Sequence, residues 1–167
     1  MILAGLLFAR SAWCGHTLST QEHKVLSNWL SRHPRYRLAA DKDCNCAADI
    51  EQMKAGDGGL WKPVRDYHPY VATGDFNSDG AEDFAVAVIN RAKKDENFAV
   101  IVFNGPFESE EASPAFFKPG LDLTHQGLFY GPPRPKPYGL VVGHFESDNN
   151  VLLLPAGRSY KFDDSAD

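Results

Sequence analysis

The sequence contains few of the features that mark metal-thiolate sites, membrane spans and nucleic-acid-binding surfaces. Two of its 3 cysteines form a Cys-x-Cys pair, and two thiols are too few for a structural zinc site, which needs four ligands. The apolar run at residues 1–9 is broken by Arg10 and is far shorter than the roughly 20 residues that span a bilayer. Lys and Arg number 17 against 22 Asp and Glu, a net charge of -5, and they form no basic block. We therefore expect neither a membrane span nor binding to nucleic acid.

Catalytic signatures are also absent. The chain has no Gly-x-Ser-x-Gly, no His-Glu-x-x-His, no phosphate-cradling glycine loop and no Cys-His signature. His23 and His33 fall in a predicted helix as solvated residues, and His68 lies among aromatic residues whose pattern favours a core edge over a binding cleft. The sequence therefore favours a protein that is not an enzyme.

The composition is that of a globular protein, with 43% apolar and 23% charged residues. The length suits one domain with a substantial core, which we place at residues 19–163. Residues 1–18 are interpreted as a signal peptide or an N-terminal extension, although they lack a basic start and a small-residue cleavage site. An N-terminal core helix is the alternative. A leader would make the protein secreted or periplasmic, while a cytoplasmic location stays open.

Helical patterns come first along the chain. Ser19 and Glu22 have the spacing of a capping box, which predicts a helix over residues 20–33 that ends before Pro34. A second helix is predicted over residues 43–55.

The start of this second helix contains Cys44 and Cys46. A helix N-terminus lowers the pKa of a thiol, so a redox role is conceivable, but the spacing is not the Cys-x-x-Cys of thioredoxin-like sites. A structural disulfide or two buried thiols are the simpler alternatives. Cys14 makes the number of cysteines odd, and removal of a leader beyond it would leave an even pair.

Strand patterns follow the helical ones. Residues 84–90 and 98–104 are rich in β-branched and aromatic residues and predict a hairpin closed by a charged loop. Small residues on one face of the first strand would let a helix or another backbone approach closely. Because helices precede strands rather than alternate with them, we predict an α+β fold, with two N-terminal helices packed on a mainly antiparallel sheet of about five to seven strands.

Residues 74–83, Gly-Asp-Phe-Asn-Ser-Asp-Gly-Ala-Glu-Asp, form the most informative stretch. Alternating oxygen-bearing side chains can turn toward one point, as positions 1, 3 and 5 of a calcium loop do, and Gly80 stands where such a loop turns sharply. Oxygen donors without Cys or His favour Ca²⁺. The predicted ligands are Asp75, Asn77, Asp79, the Ala81 carbonyl and Asp83.

Two other kinds of loop share part of this sequence pattern. An EF-hand needs a glutamate at position 12, which is Val86 here, and flanking helices, where this sequence has strand-like residues. A metal-free turn is the second alternative, because Asp, Asn and Gly are ordinary turn residues. Against it, the carboxylates of Asp75, Asp79 and Asp83 would then converge as like charges.

The sequence of residues 74–86 resembles the calcium loop of FG-GAP or VCBS-type repeats, the blade units of integrin-like β-propellers. The resemblance implies that Asp75, Asn77, Asp79 and Asp83 ligate calcium and that the next strand enters a sheet. It does not extend to the propeller, which needs about 4 to 8 blades. As a whole the chain looks like small uncharacterised bacterial proteins that carry one such loop.

Residues 143–149 repeat the pattern in a depleted form. His144 replaces the first aspartate, and Leu152 stands where the first loop has Asp83. We therefore predict that this second copy keeps the turn and loses the ion, and that Phe76 and Phe145 both point into the core.

Two further loops are predicted. Residues 105–120 read as an acidic surface loop with a brief apolar contact, and residues 131–138 as a Pro-rich connector or, alternatively, a ligand for an aromatic groove.

For function, the sequence favours an extracytoplasmic calcium-binding module that supports structure or recognition of a protein or small-molecule partner. A small calcium-assisted hydrolase using His68 or His144, and an inhibitor or immunity-type protein acting through the acidic loop, are the alternatives. The oligomeric state is not indicated by the sequence.

Overall fold

The computed structural model of the protein describes residues 17–56, 63–131, 139–145 and 150–163. The first helix, α1, spans Thr20–Arg32 and confirms the predicted start. Its capping box is complete, because the Ser19 amide donates to Glu22 Oε2 at 2.6 Å and the Glu22 amide donates to Ser19 Oγ at 3.4 Å. The leader predicted at residues 1–18 lies almost wholly outside the described residues.

The second helix, α2, is shorter than predicted and spans Ala47–Ala55. The predicted start near Asp43 is wrong, because Asp41–Asp43 form a 3₁₀ turn. The Asp43 carboxylate is occupied elsewhere: it accepts two hydrogen bonds of 2.7 Å from the Arg37 guanidinium and one of 2.8 Å from the Ala40 amide. The helix ends at Ala55, as predicted, with Gly56 as its C-cap.

Within the described residues, nine strands form two antiparallel sheets. The strands are β1 Tyr36–Leu38, β2 Val71–Gly74, β3 Asp83–Asn90, β4 Phe98–Phe103, β5 Phe116–Leu121, β6 Gln126–Gly131, β7 Gly139–His144, β8 Asn150–Ala156 and β9 Ser159–Asp163. In the first sheet the order is β1-β3-β4-β5, and β2 also pairs with β3. The second sheet is a meander in the order β6-β7-β8-β9.

The β3–β4 hairpin is buried on both faces, as the alternation of large and small residues suggested. One face, with Phe84, Val86 and Val88, packs against Val25 and Trp29 of α1. The small face belongs to a separate core that includes residues of the second sheet. Its members include Ala85, Ala87, Val100, Leu128, Leu140 and Leu153. The second sheet therefore covers part of the small face, and Ile50 of α2 belongs to the same core.

The predicted α+β fold, with two helices on one sheet of five to seven strands, is wrong. The structure is β-rich, with antiparallel sheets of five and four strands and two short helices in the described part of the chain. One helix covers only one face of the first sheet, so the other face has to be buried by a further layer. Strands β6 to β9 provide most of that layer, together with Ile50 of α2, and these strands pair among themselves rather than extend the first sheet.

Strand β5 begins within the segment predicted to be an acidic loop over residues 105–120, and this prediction is wrong for residues 116–120. The segment carries Pro119, which lacks an amide hydrogen and is tolerated only where a strand has a free side. β5 pairs with β4 alone and forms an edge of the sheet.

No helix in the described ranges is long and apolar enough to cross a membrane, which agrees with the sequence. The Pro-rich segment at 132–138 and the centre of the second loop, residues 146–149, lie outside the described residues.

Candidate metal centre

The candidate calcium loop connects two paired strands, as the flanking residues predicted. β2 and β3 are antiparallel neighbours, and Gly74 at the end of one lies opposite Asp83 at the start of the other. The ladder therefore holds the two ends of the loop together, and the intervening residues have to turn within a short distance. β3 is buried from residue 83 to residue 89, which gives the loop a rigid base.

Three of the predicted ligand side chains turn inward around the middle of the loop. The Asp79 amide donates to Asp75 Oδ1 at 3.0 Å and to Asn77 Oδ1 at 2.9 Å, so these two side-chain oxygens lie next to one atom. Asn77 Nδ2 in turn donates to Asp79 Oδ2 at 3.0 Å. The structure thus brings together the side chains at the first, third and fifth positions.

Backbone amides hold the same carboxylates from the second half of the loop. Asp75 Oδ2 accepts from the Gly80 amide at 3.0 Å, and Asp79 Oδ1 accepts from the Ala81 amide at 2.8 Å. The turn requires positive φ at Ser78 (62°) and Gly80 (87°). A Cβ at Gly80 would meet no atom within 4 Å, so glycine is needed there for its backbone conformation and not for space.

Asp83 is placed differently from the other predicted ligands. Its side chain is buried, and its oxygens accept from the Phe76 amide at 2.9 Å and the Gly105 amide at 2.9 Å. The Tyr160 hydroxyl lies 3.4 Å from Asp83 Oδ2 and donates to Asn104 Oδ1 at 2.8 Å. Asp83 therefore lines the buried side of the loop, here called its inner wall, and connects the loop to Gly105 after β4.

Burial dominates the electrostatics at this inner wall. It raises the pKa of Asp83 from its ordinary value of 3.8 to about 6, and the nearby Asp79 charge acts in the same direction. The amide hydrogen bonds from Gly105 and Phe76 oppose the shift. Burial, followed by the negative charge of Asp83, also raises the pKa of Tyr160, so its hydroxyl stays protonated and available as a donor.

The donor set fits a hard cation. A carboxylate offers about four acceptor positions. Asp75 accepts from two backbone amides, and Asp79 accepts from the Ala81 amide and from Asn77 Nδ2, so both carboxylates keep unused acceptor capacity. Their charges lie close together around Asn77, and a cation would relieve this repulsion. In the described ranges no three His, Cys, Asp and Glu side chains are grouped to hold a metal ion. The inward-turning ligands are two carboxylates and one amide, to which Ala81 adds only a main-chain carbonyl.

Sequence reasoning missed two tyrosines of the second sheet that contact the loop. The Tyr130 hydroxyl, in β6, donates to the Asp75 carbonyl at 2.7 Å, and Tyr160, in β9, contacts Asp83 as described above. Both contacts join residues more than 50 positions apart, and no local pattern signals them.

The histidines considered for catalysis lie in different surroundings. His68 Nδ1 lies 2.9 Å from Asp41 Oδ1, near α2, whereas His144 is exposed at the end of β7, opposite Gln126. In the described residues, the hydrogen-bond and strand partners of both histidines lie outside the candidate calcium loop.

The second copy of the loop is described only at its start. Phe145 is partly buried and packs against Tyr67 and Phe129, with ring centroids 6.1 and 5.5 Å away, whereas Phe76 is 2% exposed. Both phenylalanines contact the same core, as predicted, but Phe76 is the more deeply buried.

No family model, curated protein or solved structure matches the chain. The resemblance of residues 74–86 to FG-GAP and VCBS-type loops therefore stays a prediction, and function has to be argued from the loop itself.

Proposed function

We propose that this protein is an extracytoplasmic module in which the loop at residues 74–83 binds one calcium ion. The ion would fix the turn between β2 and β3 and thereby support the fold or a surface that recognises a partner. The observation that carries the proposal is the convergence of the Asp75 and Asn77 side-chain oxygens on the Asp79 backbone amide, with the Asp79 carboxylate hydrogen-bonded to Asn77 Nδ2. This arrangement follows the order of ligands in a calcium loop.

The chain's own residues supply each part of such a site. Asp75 and Asp79 contribute charge, and Asn77 contributes a neutral oxygen. Gly80 allows the turn that precedes Ala81, whose carbonyl is the proposed main-chain ligand. Asp83 completes the proposed set from the buried side, where its two amide hydrogen bonds fix its orientation. A bound calcium ion would supply positive charge that offsets the repulsion between the carboxylates.

A structural or binding role is supported more than a catalytic one. The loop leads into β3, whose residues are buried in two cores. Ordering the loop would therefore stabilise the strand that both cores share. The acidic segment after β4, considered as an inhibitory surface, is held against α1: Asn28 Nδ2 donates to the Glu110 carbonyl at 2.7 Å, and Lys24 pairs with the Glu110 carboxylate at 3.6 Å.

An extracytoplasmic location is supported by the thiols. Cys44 and Cys46 form a disulfide across Asn45, whose positive φ of 55° is one that asparagine tolerates. Disulfides persist in oxidising compartments and are rare in the cytosol. Extracellular calcium modules bind at about 10⁻⁴ to 10⁻³ M, which matches the calcium available outside the cytosol.

Calorimetric titration with calcium tests the proposal. We expect one site, and an increase in unfolding free energy of about 2.7 kcal/mol when free calcium is one hundred times the dissociation constant. Asp79→Ala should remove most of the affinity. Asp95→Ala, an exposed acid in the β3–β4 loop, is the matched control and should leave it unchanged. Absence of calcium heat, with the same melting temperature in excess chelator, would reject the site.

A further inference from the structure

One peptide unit of the loop, between Asp75 and Phe76, is held at both ends. Its carbonyl oxygen accepts from the Tyr130 hydroxyl at 2.7 Å, and its amide donates to Asp83 Oδ2 at 2.9 Å. The two partners belong to different sheets, since Tyr130 lies in β6 and Asp83 begins β3. The peptide plane at the first ligand position is therefore fixed from the second sheet on one side and from the first sheet on the other.

The ring of Tyr130 is also closely surrounded. It packs edge-on against Phe76, with ring centroids 4.8 Å apart, and a Cβ on Gly74 would overlap its ring atoms. The glycine that precedes the first ligand is thus required because the tyrosine occupies the space of a side chain. These contacts leave the hydroxyl little freedom to point anywhere but at the Asp75 carbonyl.

This arrangement bears on calcium affinity through the orientation of Asp75. The carbonyl that Tyr130 holds belongs to Asp75 itself, so rotation of that peptide moves the backbone from which the first carboxylate projects. A loop that is already ordered loses less conformational entropy when it binds than one that must be ordered first. A hydroxyl that restrains the peptide therefore strengthens binding without contacting the ion.

We infer that Tyr130 is a positioning residue for the calcium loop, through which the second sheet sets the calcium affinity of the first. The inference rests on the proposed function. Because coupling between two sites is reciprocal, calcium in the loop must also stabilise the contact between the loop and β6.

Removal of the hydroxyl alone tests the inference. Tyr130→Phe keeps the ring that packs on Phe76 and removes only the donor. We expect its calcium dissociation constant to rise by about fivefold or more, the lower end of typical coupling between sites. The matched control is Tyr70→Phe, which removes an equivalent hydrogen bond, from the Tyr70 hydroxyl to the Leu123 carbonyl at 2.9 Å, at the far end of β2.

The measurements are calorimetric calcium titration and the melting temperatures in chelator and in saturating calcium. For Tyr130→Phe we expect the increment that calcium adds to the melting temperature to shrink. For Tyr70→Phe both melting temperatures should fall together, with the dissociation constant unchanged within about twofold, as a lost hydrogen bond remote from the site requires. An unchanged dissociation constant in Tyr130→Phe, with both melting temperatures lowered equally, would show a purely structural role and overturn the inference.

A second measurement uses the unaltered protein and does not depend on the folding of a variant. Reciprocity predicts that calcium slows amide hydrogen exchange in β6, around Leu128–Tyr130, and leaves exchange in β1 unchanged. Calcium binding without any slowing in β6 would overturn the inference while leaving the proposed function intact. Absence of calcium heat in the unaltered protein would overturn both.

Discussion

The hydroxyl of Tyr160 lies 3.4 Å from the carboxylate of Asp83, a residue 77 positions earlier in the chain. One comes from the last strand and the other from the first position of β3. The same hydroxyl donates to Asn104, so the last strand closes over the inner wall of the loop. The base of the loop is therefore built into the contact between the two sheets, while its tip around Asp79 is exposed.

The buried Asp83 predicts an unusual dependence of stability on pH in the absence of calcium. Because its folded-state pKa of about 6 exceeds its ordinary value of 3.8, the folded protein binds a proton more tightly than the unfolded chain between these pH values. The stability that this residue contributes is present below pH 3.8 and is lost as the pH rises through about 6. Glu22, whose pKa burial also raises, acts in the same direction.

Denaturant unfolding in chelator between pH 4.5 and 7.5 measures this effect. The window avoids the acid range in which Asp43 and Asp122, whose pKa values are lowered by hydrogen bonding, act with the opposite sign. Asp83→Asn should reduce the slope. A free energy of unfolding that instead rises steadily across this window would contradict the prediction.

Asp79 and Asp83 are expected to differ when each is replaced by alanine in the absence of calcium. Asp79 is exposed, and its partners are loop atoms, so Asp79→Ala should change the free energy of unfolding in chelator by less than about 1 kcal/mol. Asp83→Ala leaves the Phe76 and Gly105 amides without their acceptor and should cost about 2 kcal/mol or more. Chemical denaturation of both variants in chelator measures the two losses of unfolding free energy. Equal losses would contradict the predicted difference between Asp79 and Asp83.

The two phenylalanines of the related loops should also differ in their effect on stability. Phe76 is 2% exposed, so Phe76→Ala should cost about 3 to 5 kcal/mol, the usual range for a buried aromatic. Phe145 is only partly buried, and Phe145→Ala should cost less. Urea unfolding of both variants in saturating calcium makes the comparison. A larger loss for Phe145→Ala would show that the second copy is the more important anchor.

The disulfide predicts the behaviour of the native thiols. When denatured, unreduced protein is treated with an alkylating reagent, intact-mass analysis should show no label on Cys44 and Cys46. The bridge closes a very short loop, so reduction should cost only about 2 kcal/mol. Label on both cysteines in material prepared from an oxidising compartment would count against the bridge and against export.

Residue patterns within short segments predicted one helix and two strands. α1 follows from a capping box and an apolar stripe, and β3 and β4 follow from continuous β-branched and aromatic residues. The convergence of Asp75, Asn77 and Asp79 was also predictable, because it depends on spacing within one turn. β5 was missed because Pro119 is typical of loops, and only its position at a sheet edge makes it compatible with a strand.

The second sheet and the tyrosines that contact the loop were not predictable in the same way. Whether β6 extends the first sheet or starts a second one depends on which face of the first sheet is still uncovered once α1 has packed on the other. Tyr130 and Tyr160 contact residues of the loop that lie 55 and 77 positions earlier in the chain. Their role depends on packing between the sheets, and the spacing of residues in the sequence does not indicate it.

The complete burial of β3 and β4 has a consequence for the route by which the chain reaches its native state. Until α1 and the second sheet cover them, these strands expose two neighbouring apolar segments, Phe84–Ile89 and Phe98–Phe103, with the composition of aggregation-prone sequence. The charged residues at 91–96 and Asp83 flank the first segment as gatekeepers against intermolecular pairing. We expect the yield of soluble protein to be limited by how quickly these segments are covered rather than by the final stability of the fold.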